Sequence, residues 1–186
     1  MIYVTLIDNT KITYNTFNEI VDYDKIIKLN CYYNQLTLLP ESIGNLINLQ
    51  YLHCSYNRLS SLPDSLENLI NLKELYCTHN QLTLIPNSIG NLINLKVLFC
   101  SNNQIKELPE SIGNLINLKT LYCHNNQIKE LPETIINLKK FGIFKKDELT
   151  LTPQQKRYFK WIESNKSYPF DEHVDMVLVK CAYFGV

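Results

Sequence analysis

Five cysteines recur at a fixed interval: Cys31, Cys54, Cys77, Cys100 and Cys123 lie 23 residues apart. Asn34, Asn57, Asn80, Asn103 and Asn126 keep that interval, as do Pro40, Pro63, Pro86, Pro109 and Pro132. A unit this short cannot close a hydrophobic core alone, so successive units must stack and share one. Five units run over 24–46, 47–69, 70–92, 93–115 and 116–138. The remainder is read as an N-terminal cap at 1–23, a degenerate repeat and capping helix at 139–165, and a C-terminal tail at 166–186, for which an added strand, a fold back onto the convex side and a docked partner are the open alternatives.

Each unit carries two periodicities. In "INLKVLFCSNNQIKELPESIGNL", Leu98 and Cys100 alternate with Val97 and Phe99, the pattern of a short strand with one buried side. In the segment that follows, Leu108, Ile112 and Leu115 are spaced by four and three, which suits a helical turn. The pattern predicts a parallel ladder on a concave side and short helical or 3₁₀ turns on a convex side. Gly90 and Gly113 share a repeat position with Glu67 and Ile136, so no left-handed backbone is required there. The asparagines at the strand ends are read as a ladder bonding the backbone of their own and the adjacent coil. Leaving such a buried group unpaired costs about 1–3 kcal/mol. Asn48, Asn71, Asn94 and Asn117 are read as a second structural row.

The string Leu95-x-x-Leu98-x-Cys100-x-x-Asn103-x-Ile105 resembles the leucine-rich repeat consensus, with Cys in the third Leu position. The tail "LPxSIGNL" resembles the 23-residue repeats of the Ras-suppressor type and those of plant intracellular repeat proteins. This resemblance covers residues 24 to about 140. The wording of the repeats also resembles those encoded by large DNA viruses of amoebae. The resemblance implies an α/β solenoid: a leucine-rich repeat horseshoe segment, capped at both ends, non-enzymatic and without cofactor. It further implies protein partners such as small GTPases or signalling proteins, and, for a viral origin, residence in the host cytoplasm.

The Cys ladder has three readings: packing, disulfides and metal binding. Reduced Cys behaves as a small hydrophobe, which favours packing. An in-register parallel ladder points its side chains the same way, which disfavours disulfides, and a straight row does not converge on a tetrahedral ion. Cys123 and His124 are adjacent on a strand, so they face opposite sides and do not form a dyad. His53, His79 and His124 fall on different rungs and rows, so they do not form a cluster.

Residues between the inward positions form three rows on the concave face. The middle row is Asn30, His53, Tyr76, Phe99 and Tyr122. The flanking rows are Lys28, Tyr51, Glu74, Val97 and Thr120, and Tyr32, Ser55, Thr78, Ser101 and His124. Aromatic side chains on an exposed surface mark interaction sites, although neighbouring rings can also stack only on one another. The candidate contact residues are Tyr32, Tyr51, His53, Glu74, Tyr76, Phe99, Tyr122 and His124. Five rungs of short strand project roughly 300 Å², against about 800 Å² per partner in a standard interface. The sheet alone therefore suits a peptide or small epitope. A folded partner would also need neighbouring loop residues such as Tyr33, Tyr56, His79, Arg58 and Gln104.

At the front, "IYVTLI-DNT-KITY" reads as a hairpin with a three-residue turn covering the first repeat strand. At the back, Phe141 and Phe144 keep the repeat's apolar spacing while Lys146 replaces the inward Cys. Thr152 and Pro153 then open a helix to about Ser164 whose Tyr158, Trp161 and Ile162 would close the core. Residues 129–166 hold nine Lys or Arg and five acids, a mild excess read as a solvated cap.

The net charge is zero, which excludes a general electrostatic nucleic-acid binder. No apolar run is long enough for a membrane span, and the opening "MIYVTLIDNT" lacks the pattern of a secretory signal. Six cysteines in that context imply reduced thiols and a cytoplasmic location. No nucleophile, carboxylate pair, phosphate loop or metal motif stands clear of the repeat; Cys181 and His173 are the one pair of note outside it. The leading reading is a non-enzymatic protein-interaction module that binds a protein or peptide on its concave face. The alternative is an adaptor whose C-terminal region recruits other machinery.

Overall fold

The computed structural model describes residues 1–138 and the backbone of 141–143 and 177–180. The helix expected from Thr152 to Ser164, and the pair Cys181 and His173, lie outside the described residues. A nine-stranded sheet spans the molecule in the order β2-β1-β3-β4-β5-β6-β7-β9-β8.

The repeat strands are β3 (Ile26–Asn30), β4 (Tyr51–His53), β5 (Glu74–Tyr76), β6 (Val97–Phe99) and β7 (Thr120–Tyr122), all mutually parallel. Their register follows the 23-residue period: Leu29, Leu52, Leu75, Leu98 and Leu121 stand opposite one another and are fully buried. The ladder runs past the strand ends, with Cys31, Cys54, Cys77 and Cys100 N–H donating to the next coil's His53, Tyr76, Phe99 and Tyr122 carbonyls.

The convex side is built from five-residue 3₁₀ turns, such as Asn87–Asn91 and Glu110–Asn114, each preceded by an extended Pro. The bonds are of the i to i+3 kind, as from Ile112 N–H to Pro109 O at 3.0 Å. The third residue of each turn, Ile43, Leu66, Ile89, Ile112 or Ile135, points into the core. Sheet and turns together sandwich one continuous apolar layer. Replacing a fully buried leucine such as Leu75 with Ala should cost about 2–5 kcal/mol.

The glycines of these turns are needed for space. None has a positive φ. A Cβ on Gly90 would lie 2.7 Å from Ser111 Cβ, and one on Gly113 would lie 2.5 Å from the Thr134 carbonyl oxygen. Adjacent coils press together there.

The two ends differ. At the front, β1 (Ile2–Leu6) pairs antiparallel with both β2 (Lys11–Tyr14) and β3, burying Ile2, Val4 and Leu6. The connection is one residue longer than the sequence suggests. The first strand stops at Leu6 and Ile7 N–H turns to the Lys25 carbonyl, while Asn9 takes a left-handed φ of 68°. At the back, β9 (Val177–Lys180) lies parallel between β7 and β8 (Phe141–Ile143). Continuing the repeat would seat the next strand in sequence beside β7. Instead Thr120 pairs with Leu178, and β8 is displaced to the edge.

Candidate functional site

Side chains opposite the buried leucines emerge on the concave face in straight rows. Asn30, His53, Tyr76, Phe99 and Tyr122 are aligned strand to strand, and Lys28, Tyr51, Glu74, Val97 and Thr120 form the row beside them. With neighbouring strands about 4.8 Å apart, successive rings must touch. Tyr76 meets Phe99 edge-on at 5.0 Å, and Phe99 stacks on Tyr122 at 4.3 Å with planes 16° apart. His53 lies 5.4 Å from Tyr76 and 5.1 Å from Tyr32, and Tyr122 is 6.3 Å from His124.

All seven aromatic members of the sequence-derived set therefore join one chain of rings. Three more extend it. Tyr32 contacts Tyr33 at 5.8 Å and Tyr56 at 5.2 Å, and Tyr56 stacks on His79 at 4.1 Å. Apart from Tyr32, the seven are half-buried, so each offers one face to its neighbours and part of its surface to solvent. Tyr32, Tyr33 and Tyr56 are exposed.

The extension rests on unusual backbone. Tyr33, Tyr56, His79, Asn102 and Asn125 occupy one repeat position, and all have φ between 53° and 56°. Here the chain leaves the sheet, and the left-handed turn lets the next residue reach back under the coil. Asn tolerates this region; an ordinary side chain pays about 1–2 kcal/mol for it. Asn102 and Asn125 could have signalled the position in the sequence, but the mixed residue types hid it.

Directly beneath runs the asparagine ladder. Asn80 Nδ2 donates to the carbonyls of Cys54, Cys77 and Thr78, and its Oδ1 accepts from Leu59 N–H at 3.0 Å. Asn57, Asn103 and Asn126 repeat the arrangement. The second row also holds: Asn71, Asn94 and Asn117 each donate to a carbonyl of the preceding coil.

The third concave row is a correction. Ser55 and Ser101 are buried, not presented to solvent. Ser55 Oγ accepts from Thr78 N–H at 3.1 Å, and Ser101 Oγ lies 3.0 Å from His124 Nδ1. Small hydroxyls at this row serve the neighbouring coil.

Glu74 is the one acidic group of the sequence-derived set, and Tyr76 Oη donates to its Oε2 at 2.7 Å. Burial, then the Glu74 charge, raises the Tyr51 hydroxyl above its ordinary value; burial and the bond to Glu74 push Tyr76 further. Burial also holds the His53 imidazole below its ordinary value, which keeps it neutral at pH 7.

The ladder cysteines are all buried. Cys54 and Cys77 thiols donate to the Tyr76 and Phe99 carbonyls at 3.3 Å. Burial pushes Cys31 up to about 12 and Cys54 and Cys77 well above the usual thiol range. These thiols are packing groups. Among the described residues no three His, Cys, Asp or Glu side chains are placed to hold a metal, and no helix is long and apolar enough to cross a membrane.

Fold and surface define a capped solenoid of parallel strands with a preformed aromatic sheet face. The chain is a leucine-rich repeat protein. Residues 25–46 match the family model described as Leucine Rich Repeat, 47–90 that for Leucine Rich repeats (2 copies), and 86–177 that for a Leucine-rich repeat region. No curated protein sequence matches the chain.

Among solved structures, a leucine-rich repeat protein of Leptospira interrogans is 33% identical, with a TM-score of 0.61 over 68% of this chain and 33% of its own. A plant peptide hormone receptor, described in complex with RGF2, is 30% identical, with a TM-score of 0.63 over 82% of this chain and 24% of its own. The ectodomain of the Arabidopsis thaliana receptor kinase SOBIR1 is 28% identical, with a TM-score of 0.55 over 61% of this chain and 67% of its own. The chain thus spans about a third of the Leptospira protein and a quarter of the hormone receptor. Repeats of this family are typically non-enzymatic protein-interaction modules.

Proposed function

We propose that the protein binds an extended peptide, or a small epitope of a folded protein, on its concave face. The observation that carries this is the continuous array of rings from Tyr33 to His124, half-exposed on a backbone that the asparagine ladder holds rigid. A surface already ordered by its own ring contacts loses little entropy on binding. Aromatic side chains also concentrate binding energy. The similarity to a peptide hormone receptor supports a peptide as occupant.

The area sets the partner's size. The sheet rows suit a short peptide. A small GTPase or other signalling protein, the partner class implied by the Ras-suppressor resemblance, would have to engage Tyr33, Tyr56 and His79 as well. On this reading the protein acts in a cytoplasm. β9 counts against an adaptor tail, because residues 177–180 serve the sheet itself.

The test is a variant with Tyr76, Phe99 and Tyr122 all replaced by Ala. Recovery of the partner from native cytoplasm should fall at least tenfold while the unfolding transition stays cooperative. Unchanged recovery by the folded triple variant would sink the reading.

A further inference from the structure

We infer that Glu74 is the seat for a guanidinium group of the bound partner: an arginine side chain of a peptide lying across the sheet. This rests on the concave-face reading and adds the chemical group that the face selects.

Glu74 sits half-buried at the middle of the ring array. In its row it stands between Tyr51 and Val97. The rings of Tyr51 and Tyr76 lie 5.2 Å apart with planes inclined at 44°. Tyr76 Oη fixes one carboxylate oxygen, and no other hydrogen bond to this carboxylate is found among the described residues. A carboxylate offers about four acceptor sites, so most of its capacity is unused.

Among the described residues no cation pairs with this charge. Among the described residues the one ion pair joins Lys25 to Asp22. Lys28 shares the Glu74 row but lies two strands away, about 10 Å by strand spacing, with Tyr51 between. A half-buried carboxylate beside aromatic faces, with no countercharge among the described residues, keeps its remaining acceptor sites for an incoming donor. Burial first, and the Glu74 carboxylate second, raise the Tyr51 and Tyr76 hydroxyls above their ordinary values.

The surroundings favour one kind of cation. A ring face attracts positive charge, and a planar guanidinium can lie flat on a ring while directing two N–H groups at a carboxylate in its own plane. An ammonium cannot do both. A neutral side chain would leave Glu74 unanswered, and an acidic one would meet like charge.

The probes are acetyl-Gly-Arg-Gly-amide and its citrulline counterpart, which keeps the shape and removes the charge. Each is titrated into the full chain while the aromatic NMR resonances of Tyr51 and Tyr76 are followed. The arginine peptide should move these resonances saturably, and the citrulline peptide should bind at least tenfold more weakly. Glu74→Gln keeps an acceptor for Tyr76 Oη and should weaken the arginine peptide about tenfold while leaving the citrulline peptide unchanged. If Glu74→Gln perturbs folding, Val97→Lys supplies a competing ammonium one strand away and should give the same loss.

Equal binding of the two peptides, full arginine binding by the folded variant, or no movement of either tyrosine by any probe overturns the seat. The two readings fail separately. Arginine-selective shifts with unchanged partner recovery by the triple alanine variant sink the concave-face reading alone. Partner recovery lost in that triple variant but intact in Glu74→Gln sinks the seat alone.

Discussion

Tyr56 and His79 lie face to face, their centroids 4.1 Å apart and their planes within 10°, and each hangs from a backbone held at a positive φ. The stack and the backbone oppose each other. An aromatic pair contributes about 0.5–1.5 kcal/mol beyond its burial, while each left-handed residue costs about 1–2 kcal/mol. Replacing Tyr56 with Asn should relieve the backbone and lose the stack, leaving stability within about 1 kcal/mol of the parent. Combined with His79→Asn, a double-mutant cycle in urea should return a coupling of about 0.5–1.5 kcal/mol. A coupling near zero would mean the rings meet without consequence.

The asparagine ladder should be far less forgiving. Asn80→Ala removes one acceptor and the donor shared by three carbonyls, so it should destabilise by at least about 2 kcal/mol. Asn80→Asp should be worse, because it aims a carboxylate at those carbonyls. Asn94→Ala gives up a single exposed bond and should cost under about 1 kcal/mol. Chemical denaturation of the three variants gives the ranking directly.

Gly113→Ala tests the spacing of the convex turns. The new methyl would meet Thr134 Cβ and its carbonyl oxygen at 2.5 Å, so overpacking should cost about 1–3 kcal/mol. Thr134→Ala should not rescue it, since the carbonyl oxygen remains. A neutral Gly113→Ala, read by thermal unfolding, would show that the coils can part without penalty.

His53 gives the aromatic face a pH dependence. Burial lowers its folded-state value below the ordinary 6.5, so between the two values the unfolded chain binds more protons. Stability is therefore complete above about pH 7, falls as the pH drops through 6.5, and levels off below the folded value. Urea midpoints at pH 7.5 and 5.5 should differ more in the parent than in His53→Phe, which keeps a ring and removes the titration. Glu41, lowered by its bonds to Ser65, acts only in the acid range below 4.5 and does not overlap this window.

The ladder thiols should be silent in the native state. With burial pushing Cys31 up to about 12 and Cys54 and Cys77 well above the usual thiol range, none should react with a thiol reagent at pH 7.5 until the chain unfolds. Mass mapping of labelled Cys54 or Cys77 from native protein would contradict the packing assignment.

What the sequence made legible follows from what a repeat can encode. The Leu29-to-Leu121 row, the Cys and Asn ladders and the concave rows all came from one period, because in-register stacking turns sequence interval into spatial alignment. Gly90 and Gly113 need no left-handed backbone, as their repeat position implies; the space they leave for the next coil is a contact between units that the pattern within one unit does not display. Ser55 and Ser101 follow the alternation of their row, yet bonds to the neighbouring coil draw them inside. The left-handed turn was invisible at Tyr33, Tyr56 and His79, whose residue types disguise it. The place of β9 could not be read, since pairing Leu178 with Thr120 is a long-range choice that no local pattern states.

That pairing separates the order in which the sheet is made from the order in which the chain is made. β3 to β7 can add to one another as each emerges, because each contacts its immediate predecessor. The edge of β7 meets its final partner only once Val177–Lys180 has been synthesised, after β8. The last repeat edge is therefore complete in the chain before the strand that finally covers it exists, and such an edge is a template for strand pairing.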